Sequence, residues 1–380
     1  MSIINFKQRN FSVPYLFRDL IVQEGSFTYV ELTGKESFGK IIKYLKSGKF
    51  IIVVNSPREK ALKLYKDINK RIDEIIPFDI TINIRSKDFS RNRKREYEKL
   101  KDDILNRILI VAQDNRITSF SEDIQIPYFI SFCGEDPDST ENAEEYLIPF
   151  KFFLELNESL DSGISIRCSG FKISSGKNVL LPKSQETSEL FRDAMLDLNR
   201  RSGLKIIDMG CGSGVLTLIA DSIFENSEIN FTDILPEALA STLYNIDSNR
   251  KLLNSTNRKT ACSSGDLFEK TDDLFDLIIF NPPWVDAPAR NRSEFALNDK
   301  DQKLLERFIV QAKSRLAEDG RIALAYSDNS GEKAVDKFNS IIEQNGFITE
   351  KEYHAKVQSY QSGRKWMKIF VRTLRSGAKD

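Results

Sequence analysis

Histidine and cysteine are scarce in this chain of 380 residues, which contains one His and four Cys. The cysteines form no C-x-x-C pair and are widely scattered, at Cys133, Cys168, Cys211 and Cys262. Disulfide bonds and a metal site are therefore not expected. The single histidine, His354, lies in a predicted edge strand, where we expect a surface or packing role. A histidine-dependent mechanism is not expected, because the sequence offers this histidine no catalytic partner.

Long apolar runs and an excess of one charge are also missing. No segment is long and apolar enough to span a bilayer, and no N-terminal signal pattern is present, so we expect a cytosolic protein without a membrane partner. The 56 basic residues balance the 56 acidic ones, so nucleic-acid binding would need a local basic patch. The length exceeds one domain of average size. We predict two domains, 1–150 and 151–380.

The first motif is a glycine-rich loop between a strand and a helix. An apolar strand ends at Asp208, Gly210, Gly212 and Gly214 follow, and an apolar helix begins at Val215. Glycines permit the backbone angles of a tight turn and let a ligand lie against the main chain. Alone, this pattern also fits an ordinary turn from strand to helix.

Two further polar segments follow the glycine loop, each after a predicted strand. Asp233 ends a second short strand, where a carboxylate can accept hydrogen bonds from both ribose hydroxyls. Asp266 and Leu267 follow a third strand, where an acid can bond an exocyclic adenine amine beside an apolar neighbour. Asp208 would repel a pyrophosphate but can lie near a cation. The pattern favours S-adenosylmethionine, which has a sulfonium and no phosphate, over a nicotinamide dinucleotide.

The most informative motif is a tetrapeptide directly after the apolar strand 277–280, with the sequence Asn281-Pro282-Pro283-Trp284. An amide or aniline-like nitrogen is a poor nucleophile because its lone pair is delocalised. Two acceptors on its hydrogens can draw it toward tetrahedral geometry, and no strong base is then required. Consecutive prolines stiffen the loop, which serves orientation. The alternative is a Pro-Pro turn with the tryptophan as core filler.

With these motifs, residues 164–374 resemble the class I S-adenosylmethionine-dependent methyltransferases, in the amino-methylating branch marked by N-P-P-[YFW]. The resemblance implies an α/β fold, with a C-terminal Rossmann-like domain that has a seven-stranded sheet and one antiparallel edge strand. The strand and helix patterns of the first half separately predict an N-terminal α/β domain. It implies that the methionine part of the cofactor lies over the glycines, the ribose on Asp233 and the adenine near Asp266 and Leu267.

The resemblance also assigns roles to the tetrapeptide. The Asn281 side-chain oxygen and the Pro282 carbonyl accept hydrogen bonds from a planar target nitrogen, and Trp284 stacks on its plane. Upstream, the run 182–189 resembles the Pro-x-Pro-Glu-Thr-Glu segment of release-factor glutamine N5-methyltransferases, with no second proline and one extra residue. In this interpretation Glu186 and Thr187 line the cofactor pocket.

Other patterns predict the surrounding elements. Before the glycine loop we expect a hairpin of 170–173 with 178–182 and a helix at 188–198. After the tetrapeptide we expect a helix at 304–316 closed by Gly320, a strand at 322–326, a helix at 334–342 and a hairpin of 348–353 with 366–374.

The first half reads as a small α/β domain, with helices at 38–45 and 59–76 and strands at 51–54, 80–84 and 108–111. It has no glycine-rich loop or acidic strand end, so we expect substrate recognition or dimerisation rather than a second cofactor site. Its basic run, 91–101, can contact phosphates. Because acidic residues dilute the run, a solvated helix is the favoured interpretation.

The substrate stays open between three classes: an exocyclic amine of an RNA or DNA base, a protein glutamine and a small biosynthetic metabolite. A base in a duplex would have to be flipped out. We rank the nucleic-acid base first. A non-catalytic binding module is disfavoured because all motifs are present together, and a dehydrogenase is a remote alternative.

Overall fold

The computed structural model describes residues 2–21, 25–32, 37–76, 91–136, 145–182, 184–199, 202–261, 264–358 and 365–377. The predicted strand 80–84, Cys262 and most of the predicted turn 358–363 lie outside these ranges. The chain divides into two compact units, Met1–Glu135 with Ser139–Glu158, and Asp136–Asp138 with Ser159–Asp380. Among the described residues, no helix combines the length and the apolar character that a bilayer crossing requires.

The first unit is an α/β structure around one sheet. Its strands are β1 (Ser2–Phe6), β2 (Arg9–Val13), β3 (Phe27–Val30), β4 (Phe50–Val53), β5 (Ile108–Gln113), β6 (Arg116–Ile117), β7 (Ile124–Gln125) and β8 (Tyr146–Pro149). Its helices are α1 (Phe38–Lys46), α2 (Arg58–Lys70), α3 (Arg91–Leu105), α4 (Phe129–Phe132) and α5 (Phe150–Asp161), the last of which runs into the second unit. The sheet has the order β1-β2-β8-β5-β4-β3, with β6 paired to β5 and β7 paired to β6.

The second unit also has alternating strands and helices. Its strands are β9 (Ile164–Ser165), β10 (Lys172–Ile173), β11 (Lys205–Met209), β12 (Glu228–Thr232), β13 (Arg258–Ala261), β14 (Phe275–Phe280), β15 (Leu316–Ser327), β16 (Phe347–Gln358) and β17 (Trp366–Ser376). Its helices are α6 (Glu186–Leu196), α7 (Val215–Ile223), α8 (Pro236–Ser248), α9 (Lys303–Arg315) and α10 (Glu332–Gln344).

The main sheet of this unit has seven strands in the order β13-β12-β11-β14-β15-β17-β16, which confirms the predicted Rossmann-like architecture. The strands β11, β12, β13, β14 and β15 are parallel, and β17 is antiparallel to both β15 and β16. The predicted antiparallel edge strand is therefore wrong in position. The chain reaches β17 through the hairpin after β16, and β17 then pairs on both sides, so the antiparallel strand is second from the edge.

The sheet is buried on both faces by alternating side chains. Ile206 and Leu277 belong to one hydrophobic cluster, which α6 and α7 complete, whereas Ile207 and Ile278 belong to a second cluster with α9 and α10. This arrangement follows from the two-residue period of a strand. Helices on both faces cover the near-continuous apolar runs that mark parallel strands.

Gly320 does not close a helix, as the sequence suggested. Helix α9 ends at Arg315, and Gly320 lies inside β15. A Cβ atom at this position would lie 2.8 Å from the carbonyl oxygen of Phe275 in the neighbouring strand. Glycine is therefore required here by the close approach of two strands.

The predicted hairpin of 170–173 with 178–182 is also wrong. The strand at Lys172–Ile173 pairs with Ile164–Ser165 instead. Side chains of α8 bind the segment that follows: the Ser174 N–H donates to Asn245 Oδ1 at 2.9 Å, and the Gly176 N–H donates to Ser241 Oγ at 3.0 Å. Because these groups bond to a helix, the segment cannot turn back on its own strand.

Candidate active site

The glycine loop and the tetrapeptide begin at neighbouring positions of the sheet. The strands β11 and β14 are parallel, and their last residues, Met209 and Phe280, face each other in register. Gly210 and Asn281 therefore leave the sheet side by side. A Cβ atom on Gly210 would lie 3.3 Å from the Phe280 ring, so the loop packs closely on β14.

The loop needs its glycines for two reasons. Gly210, Gly212 and Gly214 have φ angles of +64°, +55° and +77°, in the left-handed region that strains other residues. A Cβ atom on Gly214 would also lie 2.8 Å from the side chain of Thr242 in α8. Both the backbone conformation and the space thus exclude a larger residue at Gly214.

Three N–H groups of the loop donate hydrogen bonds within the protein. The Cys211 N–H donates to the Thr232 carbonyl at 2.9 Å, the Gly212 N–H to Asp233 Oδ2 at 3.0 Å, and the Gly214 N–H to the Cys211 carbonyl at 2.8 Å. A phosphate-binding loop directs such groups toward its ligand. Here all three N–H groups already donate hydrogen bonds to other groups of the protein.

Asp208 lies beneath the loop rather than on its surface. Its exposed fraction is 1%, and the Thr217 hydroxyl of α7 donates to its Oδ2 atom at 2.6 Å. Burial raises the pKa of Asp208 to about 7, and the nearby Asp233 carboxylate contributes in the same direction. Near neutral pH this carboxyl group therefore exists in both protonation states.

Asp233 directly follows β12 and is half-buried. Its Oδ2 atom accepts the Gly212 N–H, and its Oδ1 atom accepts the Leu235 N–H at 3.0 Å. Burial raises the pKa of Asp233 to about 6, while these backbone hydrogen bonds oppose the rise. At neutral pH it is a carboxylate held in a fixed orientation, and each oxygen has a second lone pair.

The segment that contains Asp266 and Leu267 is held next to Asp233, because the Gly265 N–H donates to the Asp233 carbonyl at 3.1 Å. The neighbouring Asp266 carboxylate pairs with the Arg307 guanidinium of α9, at 3.2 Å between Nη2 and Oδ1. Leu267 is buried with a φ of +55°, an uncommon conformation for a side chain of this size. Such residues concentrate at functional sites. Sequence reasoning missed Arg307, since it is 41 residues from Asp266.

The tetrapeptide has an exposed beginning and an anchored end. Asn281 is exposed, and both Pro282 and Pro283 are buried. Trp284 is half-buried and packs against both hydrophobic clusters, and its carbonyl accepts the Ser330 hydroxyl at 2.9 Å. Its indole N–H is buried without a hydrogen-bond partner within the described part of the chain. The tryptophan thus contributes to the core, as the alternative interpretation of this motif expected.

Helix α6 carries the predicted pocket residues Glu186 and Thr187 in its first turn. Glu186 accepts a hydrogen bond from the Ser184 hydroxyl at 2.6 Å, which lowers its pKa, and it also pairs with Arg167. Thr187 is half-buried. The helix contributes to the same core as α7, the helix that follows the glycine loop, because its Phe191 shares a hydrophobic cluster with residues of α7.

A polar cluster that sequence reasoning missed binds the segment after the tetrapeptide. Its centre is Glu237 in the first turn of α8, which has no exposed surface. Arg292 donates to both carboxylate oxygens at 3.1 and 2.8 Å, and Asn178 Nδ2 donates to Oε1 at 3.1 Å. The Ser293 hydroxyl donates to Asn178 Oδ1 at 2.7 Å. We call these four residues the Glu237 cluster, and it holds two loops against α8.

No local pattern could have revealed this cluster, because Arg292 and Glu237 are 55 residues apart and Asn178 is 59 residues from Glu237. Each of them alone resembles an ordinary surface residue.

Replacing Arg292 by methionine will destabilise the loop that follows the tetrapeptide. The change leaves a buried carboxylate with one neutral donor, and breaking a buried pair costs about 3–5 kcal/mol unless the loop detaches. We expect a lower free energy of unfolding, or faster amide exchange across residues 285–299. Urea titration and hydrogen exchange by mass spectrometry measure the two outcomes.

The double variant Arg292→Met with Glu237→Gln is the matched control. It removes the buried charge together with its partner, so it will recover part of the loss. If the single and double variants are equally destabilised, the ion pair is not the cause.

Residues 185–354 match the family model of the methyltransferase small domain. A release factor glutamine methyltransferase of Lactococcus lactis subsp. lactis is 29% identical over 189 residues, which is 45% of this chain and 67% of that protein. A tRNA1(Val) (adenine(37)-N6)-methyltransferase of Haemophilus influenzae is 30% identical over 151 residues, 38% of this chain and 63% of that protein.

A ribosomal RNA small subunit methyltransferase C of Actinobacillus pleuropneumoniae serotype 3 is 30% identical over 120 residues, 32% of this chain and 31% of that protein. The chain thus spans from about a third to two thirds of the length of these relatives. The predicted resemblance to methyltransferases is confirmed for this part of the chain.

Proposed function

We propose that this chain, which carries a methyltransferase small domain in residues 185–354, is an S-adenosylmethionine-dependent N-methyltransferase of the cytoplasm that methylates an exocyclic amine of a nucleic-acid base. The observation that carries the proposal is the register of Met209 with Phe280, which puts the glycine loop beside an exposed Asn281. A cofactor cradle and a hydrogen-bond acceptor for the target nitrogen are then neighbours.

The residues of the loop fit a nucleoside cofactor without phosphate. Three loop N–H groups are engaged within the protein, which disfavours a pyrophosphate. In the proposal Asp233 receives the ribose hydroxyls, Asp266 and Leu267 border the adenine, and Thr187 lies at the rim. When it is ionised, the buried Asp208 carboxyl group adds negative charge beneath the loop, which favours a cationic ligand.

When bound, S-adenosylmethionine supplies an electrophilic methyl group on a sulfonium. The Asn281 side-chain oxygen and the Pro282 carbonyl accept hydrogen bonds from the target N–H groups and hold the nitrogen lone pair toward the methyl carbon. The bound cofactor would give its methyl group to the nitrogen and leave as S-adenosylhomocysteine, and the proton released from the nitrogen would pass to solvent. Trp284, fixed by its core contacts, borders the plane of the target.

Saturating S-adenosylhomocysteine will stabilise the protein, by about 2.7 kcal/mol at 100 times its dissociation constant. Replacing Asp233 by alanine will abolish most of this shift, because two ribose hydroxyls lose their acceptor. The affinity will also fall as the pH drops through about 6, where Asp233 becomes protonated. Thermal melting and calorimetry measure both effects. A comparable shift with a nicotinamide dinucleotide would instead favour the dehydrogenase alternative.

Two relatives named as RNA methyltransferases support a base as the acceptor. A protein glutamine is the second candidate, since the longest of the three matches is to a release factor glutamine methyltransferase. The segment 182–189 resembles that class as well. Both acceptors have a planar nitrogen, so the tetrapeptide alone does not separate them.

Methyl transfer from radiolabelled S-adenosylmethionine into a fractionated lysate, from a strain that lacks this protein, tests the proposal. We expect label in RNA or DNA, and far less label with the Asn281→Ala variant. Label in protein would support the glutamine alternative, and label confined to small molecules would indicate a metabolite. No label in any fraction would contradict catalysis.

A further inference from the structure

The helices α1, α2 and α3 of the first unit form one layer. The strands β3, β4 and β5 are adjacent and parallel, and the chain steps from each to the next in the same direction. Right-handed crossovers then place the connecting helices on one face of the sheet. Two contacts join the layer: the Arg71 guanidinium lies 4.6 Å from the centre of the Phe38 ring, and the Tyr97 hydroxyl donates to Asp73 at 2.7 Å.

This layer is basic, although the whole chain is neutral. Residues 37–76 and 93–107 contain 16 Lys and Arg against 8 Asp and Glu, and residues 37–49 contain four lysines and no acid. Exposed lysines lie on both of the first two helices, at Lys43, Lys46, Lys63 and Lys66. Sequence reasoning considered only the run on α3. The fold adds the lysines of α1 and α2 to it.

The chemistry of this surface fits a polyanion rather than a membrane. Among the described residues, the large apolar side chains that are exposed all lie outside α1, α2 and α3. A membrane-binding helix needs such side chains to enter the bilayer interface. Tyr44, flanked at 5.7 and 5.4 Å by the ammonium groups of Lys40 and Lys49, adds an aromatic side chain to the layer.

We propose that the outer face of α1, α2 and α3 binds the sugar-phosphate backbone of the nucleic acid that the protein methylates. The inference rests on the proposed function, since a nucleic-acid substrate supplies the ligand. The lysines neutralise phosphates without regard to sequence, so they contribute affinity and position the strand. Base selection then belongs to the second unit.

The test uses the full-length protein and a fluorescein-labelled single-stranded RNA of 20 nucleotides with mixed sequence. The basic-face variant replaces Lys43, Lys46, Lys63 and Lys66 by glutamine. We expect its dissociation constant, from fluorescence anisotropy, to rise about tenfold or more at moderate salt. The slope of log Kd against log salt concentration will fall by about 3, as four lost phosphate contacts predict.

The matched control removes four exposed cations from the second unit, at the edge of the sheet opposite Asn281. It replaces Arg250, Lys251, Arg258 and Lys313 by glutamine, and its RNA affinity will stay within about twofold of the unsubstituted protein. Melting temperatures and S-adenosylhomocysteine binding will show that both variants are folded. Equal weakening in both variants, no weakening in the basic-face variant, or no RNA binding by the unsubstituted protein would overturn the inference.

The labelling experiment separates this inference from the proposed function. If RNA binding depends on the four lysines but label enters protein, the proposed acceptor is wrong, and the surface binds RNA that is not the methylated substrate. If label enters RNA and the basic-face variant binds RNA as tightly as the control variant, the proposed surface is wrong while the proposed function stands.

Discussion

Replacement of Asn281 by alanine will lower the turnover number by about 10²–10³-fold or more while leaving cofactor affinity unchanged. The side chain is exposed at the carboxyl end of β14, and the loop that would hold the cofactor begins on the adjacent strand. Its proposed contact is with the target nitrogen, so its loss affects the transfer step. Single-turnover kinetics with labelled S-adenosylmethionine and calorimetry with S-adenosylhomocysteine measure the two quantities separately.

Asn281→Asp is the matched control, because it keeps the acceptor oxygen and the size of the side chain. It will retain more activity than the alanine variant if hydrogen-bond acceptance is what matters. Near-normal turnover in the alanine variant would remove Asn281 from the mechanism. A loss of S-adenosylhomocysteine binding would show that Asn281 belongs to the cofactor site.

Replacement of Asp208 by asparagine will change how stability depends on pH. In the folded protein burial raises the pKa of Asp208 from 3.8 to about 7. Between these values the unfolded chain releases a proton that the folded chain keeps, so the free energy of unfolding falls as the pH rises. The slope is about 1.4 kcal/mol per pH unit, and the total is about 4 kcal/mol.

The asparagine variant lacks this contribution. The difference in unfolding free energy, variant minus unsubstituted protein, will therefore grow from about pH 4 to about pH 7 and then level off. Urea titrations of the cofactor-free proteins across this range give the difference directly. If the unfolding free energies of the two proteins change with pH in parallel, Asp208 is not the titrating group.

Thr217→Val provides a second check. The Thr217 hydroxyl donates to Asp208 and favours its charged form. Without that donor the pKa of Asp208 will rise further, and the fall in stability will extend to higher pH. An unchanged pH profile in this variant would contradict the role of the hydrogen bond.

Sequence reasoning found the parts of the fold and the site that local patterns encode. The strand, glycine turn and helix at 205–223 and the tetrapeptide after β14 depend on neighbouring residues, so their elements could be predicted. The side-by-side placement of Gly210 and Asn281 depends on the order of the strands in the sheet, which the local patterns did not predict. The roles proposed for these residues remain predictions for experiment.

Other features depend on partners that are distant in the chain. Arg307 meets Asp266 across 41 residues, and Arg292 meets Glu237 across 55. Gly320 was misassigned because a glycine after a helical pattern indicates a helix end, whereas the close approach of Phe275 is visible only in the folded sheet. The basic layer was missed because its lysines converge only after the strands pair.

The register of Met209 with Phe280 has a consequence for engineering. The spacing between the two halves of the site is set by adjacent strands, roughly 4.8 Å apart, rather than by the loops that surround it. Grafting a foreign segment between Val285 and Asn298 would therefore leave that spacing unchanged. This segment is the natural insertion point for libraries that seek new acceptors, provided that Arg292 and Ser293 or equivalent anchors are retained.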